Sequence, residues 1–253
     1  MELFDAHAHI ASADFAGDLP EVLARAEAVG VRGIVAVGET LEEAEQTLAL
    51  ANRHALVKPA AGLYPTVLDL DAADAVVEFI RRHAAQLVAL GEVGLDHWVA
   101  KEEAEWKIQE EILGRFVALS NELRLPLNVH SRSAGRRCIA FLRERGARHV
   151  LLHAFDGKAG AAADGVEAGF FFSIPPSVVR SAQKQKLVRS LPLECVLLET
   201  DSPVLGPEPG VRNEPMNVMV ACQAVAELKG VAPEDVARIT TENARRLFPR
   251  AFV

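Results

Sequence analysis

The sequence predicts an α/β protein, a (β/α)8 TIM barrel, and three observations carry that expectation. Apolar runs of strand length alternate with amphipathic or alanine-rich runs of helical length. The connections between them are short, as in βαβ units that build a parallel sheet. Eight such units over 253 residues is the usual size of this barrel. No Ser/Gly linker, charge block, low-complexity tract or internal repeat interrupts the alternation, so residues 1–253 are expected to form one domain.

In chain order, the strand-like runs end near His7, Val37, Gly62, Glu92, His130, His153, Ile174 and Thr200. Between them the helical period marks Leu19–Ala28, Leu41–Asn52, Ala72–His83, Glu102–Asn121, Ala134–Arg145 and Ser177–Ser190. Ser202 to Pro215, rich in Pro and Gly, is the longest unpatterned stretch. Met216–Lys229 and Pro233–Leu247 follow it as C-terminal helices.

Composition narrows the partners. A formal charge of −8 argues against broad electrostatic attachment to nucleic acid or anionic lipid, so a polyanionic substrate must be held locally. No apolar run is long enough to span a bilayer and no basic-then-apolar leader opens the chain; a cytoplasmic or otherwise intracellular location without membrane attachment is expected. Cys138, Cys195 and Cys222 are far apart and form no CxxC pair, which fits core thiols and no thiolate metal site. No obligate protein partner is evident.

The chemistry starts at Asp5-Ala6-His7-Ala8-His9. In a strand, alternate side chains share a face, so His7 and His9 point the same way at a spacing suited to one metal ion. Glu92, His130, His153 and Asp201 each close another apolar run, and with His7 and His9 they fall at the ends of the first, fourth, fifth, sixth and eighth strands. Those ends converge on the face of a barrel that carries active sites. Each has a duller reading on its own: a core histidine, a strand-end carboxylate paired with a base, a turn cap at Asp201. Scattered structural residues have no reason to share this position, and that favours ligation. Four imidazoles and two carboxylates suit Zn²⁺, Mn²⁺, Mg²⁺ or similar ions, with Zn²⁺ favoured, and six ligands exceed the needs of one catalytic ion. Two divalent ions bridged by Glu92 are expected, with Asp201 and Glu92 as the catalytic carboxylates.

Asp5 lies deeper along the first strand, where a structural role is expected. His54, His83 and His149 are placed away from the site. His97 is either a substrate contact or a plain loop residue. Arg132 and the pair Arg212 and Asn213 are the nearest candidates for gripping a phosphate, with surface ion pairs as their ordinary alternative. The basic run Arg180 to Arg189 has a helical period and reads as a solvated helix face.

Together these motifs resemble the TatD family of metal-dependent deoxyribonucleases within the amidohydrolase superfamily, over essentially the whole chain. The markers are Asp5-Ala6-His7-Ala8-His9, Gly91-Glu92-Val93-Gly94-Leu95-Asp96, Asn128-Val129-His130-Ser131-Arg132, His153-Ala154-Phe155-Asp156-Gly157, Glu199-Thr200-Asp201-Ser202-Pro203 and Arg212-Asn213-Glu214-Pro215. Ser131–Arg136 and Phe172–Ser177 look most like the branch called TatD DNase domain-containing protein three. The resemblance implies a barrel of the metallo-dependent hydrolase type, with His7, His9, Glu92 and Asp201 around one ion and Glu92, His130 and His153 around the other. It also implies hydrolysis of DNA phosphodiesters, often from an end and also at damaged sites; the few basic charges of an acidic chain separately lead us to expect action on single strands or strand ends. Many relatives carry His before Pro at the third strand's end; here it is Tyr64-Pro65, and Tyr64 is assigned the substrate contact there.

The expected mechanism has a metal-activated hydroxide attack phosphorus while Asp201 orients it and accepts its proton, with Arg132 and Asn213 positioning the substrate. Two other functions use the same residues. One is hydrolysis of a small ester, lactone or amide on the same type of barrel, although no lysine ends the fourth strand to serve as a modified bridge. The other is a non-catalytic metal-containing interaction module, against which Asp201 beside a full ligand set weighs.

Overall fold

Short apolar runs become strands and periodic runs become helices in the computed structural model, which describes residues 1–253. The order is β1 (Leu3–Ala8), α1 (Leu19–Ala28), β2 (Val31–Ala36), α2 (Leu41–Ala51), β3 (Val57–Ala61), α3 (Leu70–His83), β4 (Ala89–Gly94) and α4 (Glu103–Leu123). It continues through β5 (Leu127–His130), α5 (Gly135–Glu144), β6 (Val150–Leu152), α6 (Ala159–Glu167), β7 (Phe171–Ile174), α7 (Ala182–Ser190) and β8 (Val196–Leu198). The helices α8 (Val218–Lys229) and α9 (Pro233–Leu247) complete the chain. No helix is long and apolar enough to cross a membrane.

The eight strands pair in parallel in the order β1 to β8. The sheet curls into a nearly closed barrel because β1 meets the chain just past β8: Asp201 N donates to His7 O at 2.9 Å and His9 N to Ser202 O at 2.8 Å. At the same seam Asp5 Oδ1 accepts from Thr200 N at 2.9 Å, and Asp5 Oδ2 from Thr200 Oγ1 at 2.6 Å. A side chain here supplies bonds that a longer strand would supply from its backbone, which gives Asp5 the structural role expected of it.

Both faces of the sheet are apolar, as in parallel sheets covered on both sides. Leu90, Val93, Leu127, Val129, Val150 and Leu152 pack outward against the helices. Phe4, Ala6, Ala89, Leu151 and Leu197 fill the barrel together with Leu247, Phe248 and Ala251 from the chain's end. The C-terminal segment thus plugs the mouth opposite the ligand-bearing strand ends, with Phe4 stacked on Phe252 at 4.8 Å between centroids. Gly33 lies against this plug, where a Cβ would come within 2.5 Å of the Phe4 ring.

Two departures from regular pairing aim the ligands. In β4, Leu90 and Val93 both face outward although three residues apart, and the register shifts between them. Ala89 and Glu92 both face inward as a result, so the irregularity at Gly91 swings Glu92 into the barrel. The pairing of β1 with β2 shifts on both sides of Asp5. Gly94 ends β4 so close to β5 that a Cβ would lie 2.0 Å from His130 O.

Two helices differ from expectation. α7 begins at Ala182 rather than near Ser177, because Pro175-Pro176 opens a 3-10 turn over Pro176–Arg180 and Ser181 then caps the helix, accepting from Lys184 N at 3.3 Å. α6 has no expected counterpart. Its Ala159-Gly160-Ala161-Ala162-Ala163 sequence lacks a polar face, and its small side chains pack against the sheet without announcing a helix.

Candidate metal centre

Six side chains from five strand ends meet at one point of the barrel mouth. His7 Nε2 and His9 Nε2 are 3.3 Å apart, and Asp201 Oδ1 lies 3.4 and 3.2 Å from them. Glu92 Oε2 is 3.5 Å from both of these nitrogens. Across the cavity, His130 Nδ1 and His153 Nε2 are 3.3 Å apart and lie 2.7 and 2.9 Å from Glu92 Oε1. Four atoms bound tetrahedrally at about 2.0–2.1 Å from an ion of zinc size are about 3.3–3.4 Å from one another. The separations in the first cluster match that spacing, and the second is slightly tighter.

Glu92 is buried, 1% exposed, and its Oε2 has no hydrogen-bond donor. An ionised oxygen left so costs several kcal/mol unless a cation neutralises it, roughly the penalty for a buried unpaired charge. Two imidazole nitrogens directed at it from 3.5 Å make the site one for metal rather than for a ligand of another kind. The residues therefore fit a divalent metal centre.

The neighbours of the imidazoles set their tautomers. Asn128 Nδ2 donates to Ala6 O at 2.9 Å, which turns Asn128 Oδ1 toward His7 Nδ1, also at 2.9 Å. His7 then carries a proton on Nδ1 and turns Nε2 to the cluster, the nitrogen it would offer a metal. Asp96 Oδ2 does the same for His130, taking Nε2–H at 3.1 Å and leaving Nδ1 free. Glu39 faces His9 Nδ1 at 3.8 Å and Glu199 faces His153 Nδ1 at 3.9 Å, both beyond hydrogen-bond reach. Glu199 instead accepts from Ala154 N at 2.8 Å and Ser173 Oγ at 2.5 Å, fixing the turn just after His153.

Charge follows the geometry. Burial pushes the Glu92 carboxyl up, but His153, His130 and His7 outweigh it and hold it well below the carboxylate range. Asp201 is lowered in the same way, its burial overcome by His7 and His9. Burial pulls His7, His9 and His130 down, and the adjoining carboxylates more than reverse this, raising His130 to about 9. His153 goes the other way, to about 4, through burial and the nearby His7. The cluster draws positive charge, which protons supply in the chain alone and which metal binding would replace.

Asp201 sits in the left-handed backbone region, φ 55°, and lines two adjoining cavities. The larger, about 870 Å³, has a wall of Glu39, Glu42 and Glu43. The smaller, about 420 Å³, is lined by Arg132, Gln183 and Lys184. Tyr64 borders both, with its ring 5.1 Å from that of His130. Burial and the surrounding carboxylates hold the Tyr64 phenol above its usual range, so it stays a proton donor.

Of the residues expected to touch substrate, Tyr64 and Arg132 face this mouth and Asn213 does not. Asn213 is fully buried; its amide donates to Thr200 O and Val204 O, each at 2.7 Å, and its Oδ1 accepts from Asn217. It braces the loop after β8 and has no face left for substrate. Arg212 is likewise committed, to Asp18 at 2.8 and 2.6 Å and to Glu214 at 3.0 Å. His97 stacks on Trp106 at 4.4 Å behind the mouth. Asn128 and Asp96 were not singled out from sequence. Asn128 shares the inward parity of His130, which was a usable signal; nothing local marks Asp96 as its partner.

The TatD-related DNase model matches residues 4–249. The chain belongs to that family. This TatD chain is 47% identical over 99% of its length to the mouse putative deoxyribonuclease TATDN3, covering 89% of that protein. It is 45% identical over 98% of its length to the human deoxyribonuclease TATDN3, covering 95% of it. The Bacillus subtilis metal-dependent hydrolase YabD is 36% identical, with 97% of this chain and 98% of YabD covered. Among solved structures, the TatD homologue YJJV of Escherichia coli superposes with a TM-score of 0.90 at 25% identity, covering 98% of each chain. The family assignment makes the chain a metal-dependent hydrolase.

Proposed function

We propose that residues 1–253 act as one barrel domain that hydrolyses DNA phosphodiester bonds at a binuclear metal centre, on single strands or strand ends. The observation that carries this reading is the divided carboxylate of Glu92, whose two oxygens face different pairs of histidines at 2.7–3.5 Å. His7, His9 and Asp201 would hold one ion with Glu92, and His130 and His153 the other. Bound there, Zn²⁺ by donor type, such ions would supply activation of a water and neutralisation of charge developing on phosphate oxygens.

The chain supplies the rest. Asp201 Oδ1 is engaged by His7 and His9, which leaves Oδ2 toward the cavities to orient the attacking water and take its proton. Arg132, exposed and outside any salt bridge, is placed to hold a non-bridging phosphate oxygen, and Tyr64 lines the same cavity. The named activity of the human and mouse relatives supports DNA as substrate.

The acidic wall of the larger cavity leaves little room for a long phosphate backbone. Few phosphates are neutralised, so binding depends weakly on salt, with a slope near −0.7 per phosphate neutralised on single strands as an approximate guide. Matched single-stranded, blunt duplex and nicked circular DNA, assayed with defined metals across a salt series, test this. Fast cutting of short single strands with one to two phosphates' worth of salt dependence is expected, and chelation should abolish it. Rapid internal cutting of intact duplex with a steep salt loss would replace this reading with an extended groove.

A further inference from the structure

Trp98 stands on the loop after β4 with 58% of its surface exposed, whereas Trp106 is packed on His97 and donates its indole N–H to Ala100 O. The exposed position is built, not slack. Asp96 Oδ1 accepts from Trp98 N and Val99 N, both at 2.8 Å, and Ala100 N donates to Asp96 O at 3.2 Å. The other oxygen of the same carboxylate reaches His130 Nε2. One side chain therefore fixes the indole's loop and a candidate metal ligand together. The loop is also tied to the turn after β5, where His97 N donates to Arg132 O at 2.9 Å.

Two cations attend this indole. The Arg132 guanidinium lies over the ring at 5.1 Å and the Lys101 ammonium at 5.2 Å, and neither forms a salt bridge. Arg132 lines the smaller cavity with His130, His153 and Asp201, so the indole adjoins the reacting centre through it. The charges on the two sides of the mouth differ: Glu39, Glu42 and Glu43 on one, and on the other Arg132 and Lys184 against the single carboxylate of Asp156, which is taken up by Ser133 N and Gln183. A polyanionic strand leaving the centre is repelled by the first side and drawn along the second, past Trp98.

We propose that Trp98 stacks the base of a nucleotide flanking the scissile phosphate, while Arg132 and Lys101 take up the phosphates of that nucleotide. The subsite rests on the nuclease reading above and gives it a source of strand preference. A base paired inside a duplex has both faces covered by its neighbours, and an unpaired or terminal base has a face to offer the indole. Stacking needs no particular base, so the subsite selects single-stranded character and not sequence.

The test uses the metal-loaded protein and end-labelled single-stranded oligonucleotides in which one abasic tetrahydrofuran residue is walked nucleotide by nucleotide past the cleavage position. At one position, and at no other, the missing base should raise KM for the native protein about tenfold. Trp98→Ala should raise KM on the intact oligonucleotide by a similar factor, with the loss in KM rather than kcat, and Trp98→Phe should restore most of it. The deciding result is the combination: the abasic residue at that position should add nothing further in Trp98→Ala. Equal losses at every position, or losses that multiply in the variant, overturn the stacking subsite. The walk on the native protein stands even if a variant folds poorly. Native protein that carries its metals and cleaves no oligonucleotide at all overturns the nuclease reading, and this subsite with it.

Discussion

Glu92 and Asp201 are both carboxylates in contact with His7 and His9, yet the geometry gives them different work. Glu92 spans the two histidine pairs, so Glu92→Ala should lower metal content at both positions, read as loss of close to two ions per chain by elemental analysis. Asp201 touches one pair only, and Asp201→Asn keeps an oxygen near it while losing the proposed proton acceptor. Its expected outcome is metal content near native with turnover down by about 10²–10⁴. Equal metal loss in both variants would make Asp201 chiefly a ligand. Asn128 acts one step further out, through the His7 ring. Asn128→Ala should weaken metal binding by about 10–100-fold without removing a ligand, measured by competition with a chelator of known affinity. These roles were unequally visible in the sequence. The His7 and His9 pair could be read because a strand repeats every two residues. The Asn128 contact runs to a residue 121 positions away, the ion pairs of Arg212 were already its ordinary alternative, and the inward turn of Asn213 was missed because adjacency in a motif says nothing about which way a side chain faces.

The strand ends and the loops after them hold the site, and here too the reading from sequence was partial. All eight strands were foreseen within a few residues, since apolar runs bounded by polar turns survive any tertiary context. The inward swing of Glu92 was not, because strict alternation from Ala89 would turn it to the helices and only Gly91 hints at an irregularity. The loop between β8 and α8 is held by Asn213 and by an ion-pair cluster in which Arg25 and Arg212 share Asp18 and Glu214. The arginines hold both carboxyls below their usual range. Lowered carboxyls contribute their attraction fully above the ordinary carboxylate range and lose it as pH falls through the folded value. Residues 202–215 should therefore keep their hydrogen-exchange protection at neutral pH and lose it below about pH 4, before the barrel unfolds. Arg212→Ala should show the same loss of protection at pH 7. Unchanged exchange in that variant would show that the ion pairs do not hold the loop.

Taken whole, the barrel separates the chemistry from the chain's end. The ligands gather at one mouth, and Phe248, fully buried, closes the other against Phe4. Phe248→Ala should cost about 3–5 kcal/mol in denaturant unfolding, and the folded fraction should retain its metal content. Metal loss in step with stability would mean that the two mouths are mechanically coupled.

The seam between β1 and the turn beyond β8 also bears on how the protein comes into being. His7 and Asp201 lie 194 positions apart and are joined directly, Asp201 N to His7 O. A chain emerging from the ribosome therefore carries two of its histidines almost from the start, but has no assembled centre until Asp201 has cleared the exit tunnel and the sheet has closed. With the proposed ligands placed at both ends of the sheet, a half-synthesised or prematurely terminated copy would hold no complete centre, and activity would arrive only with the last strand.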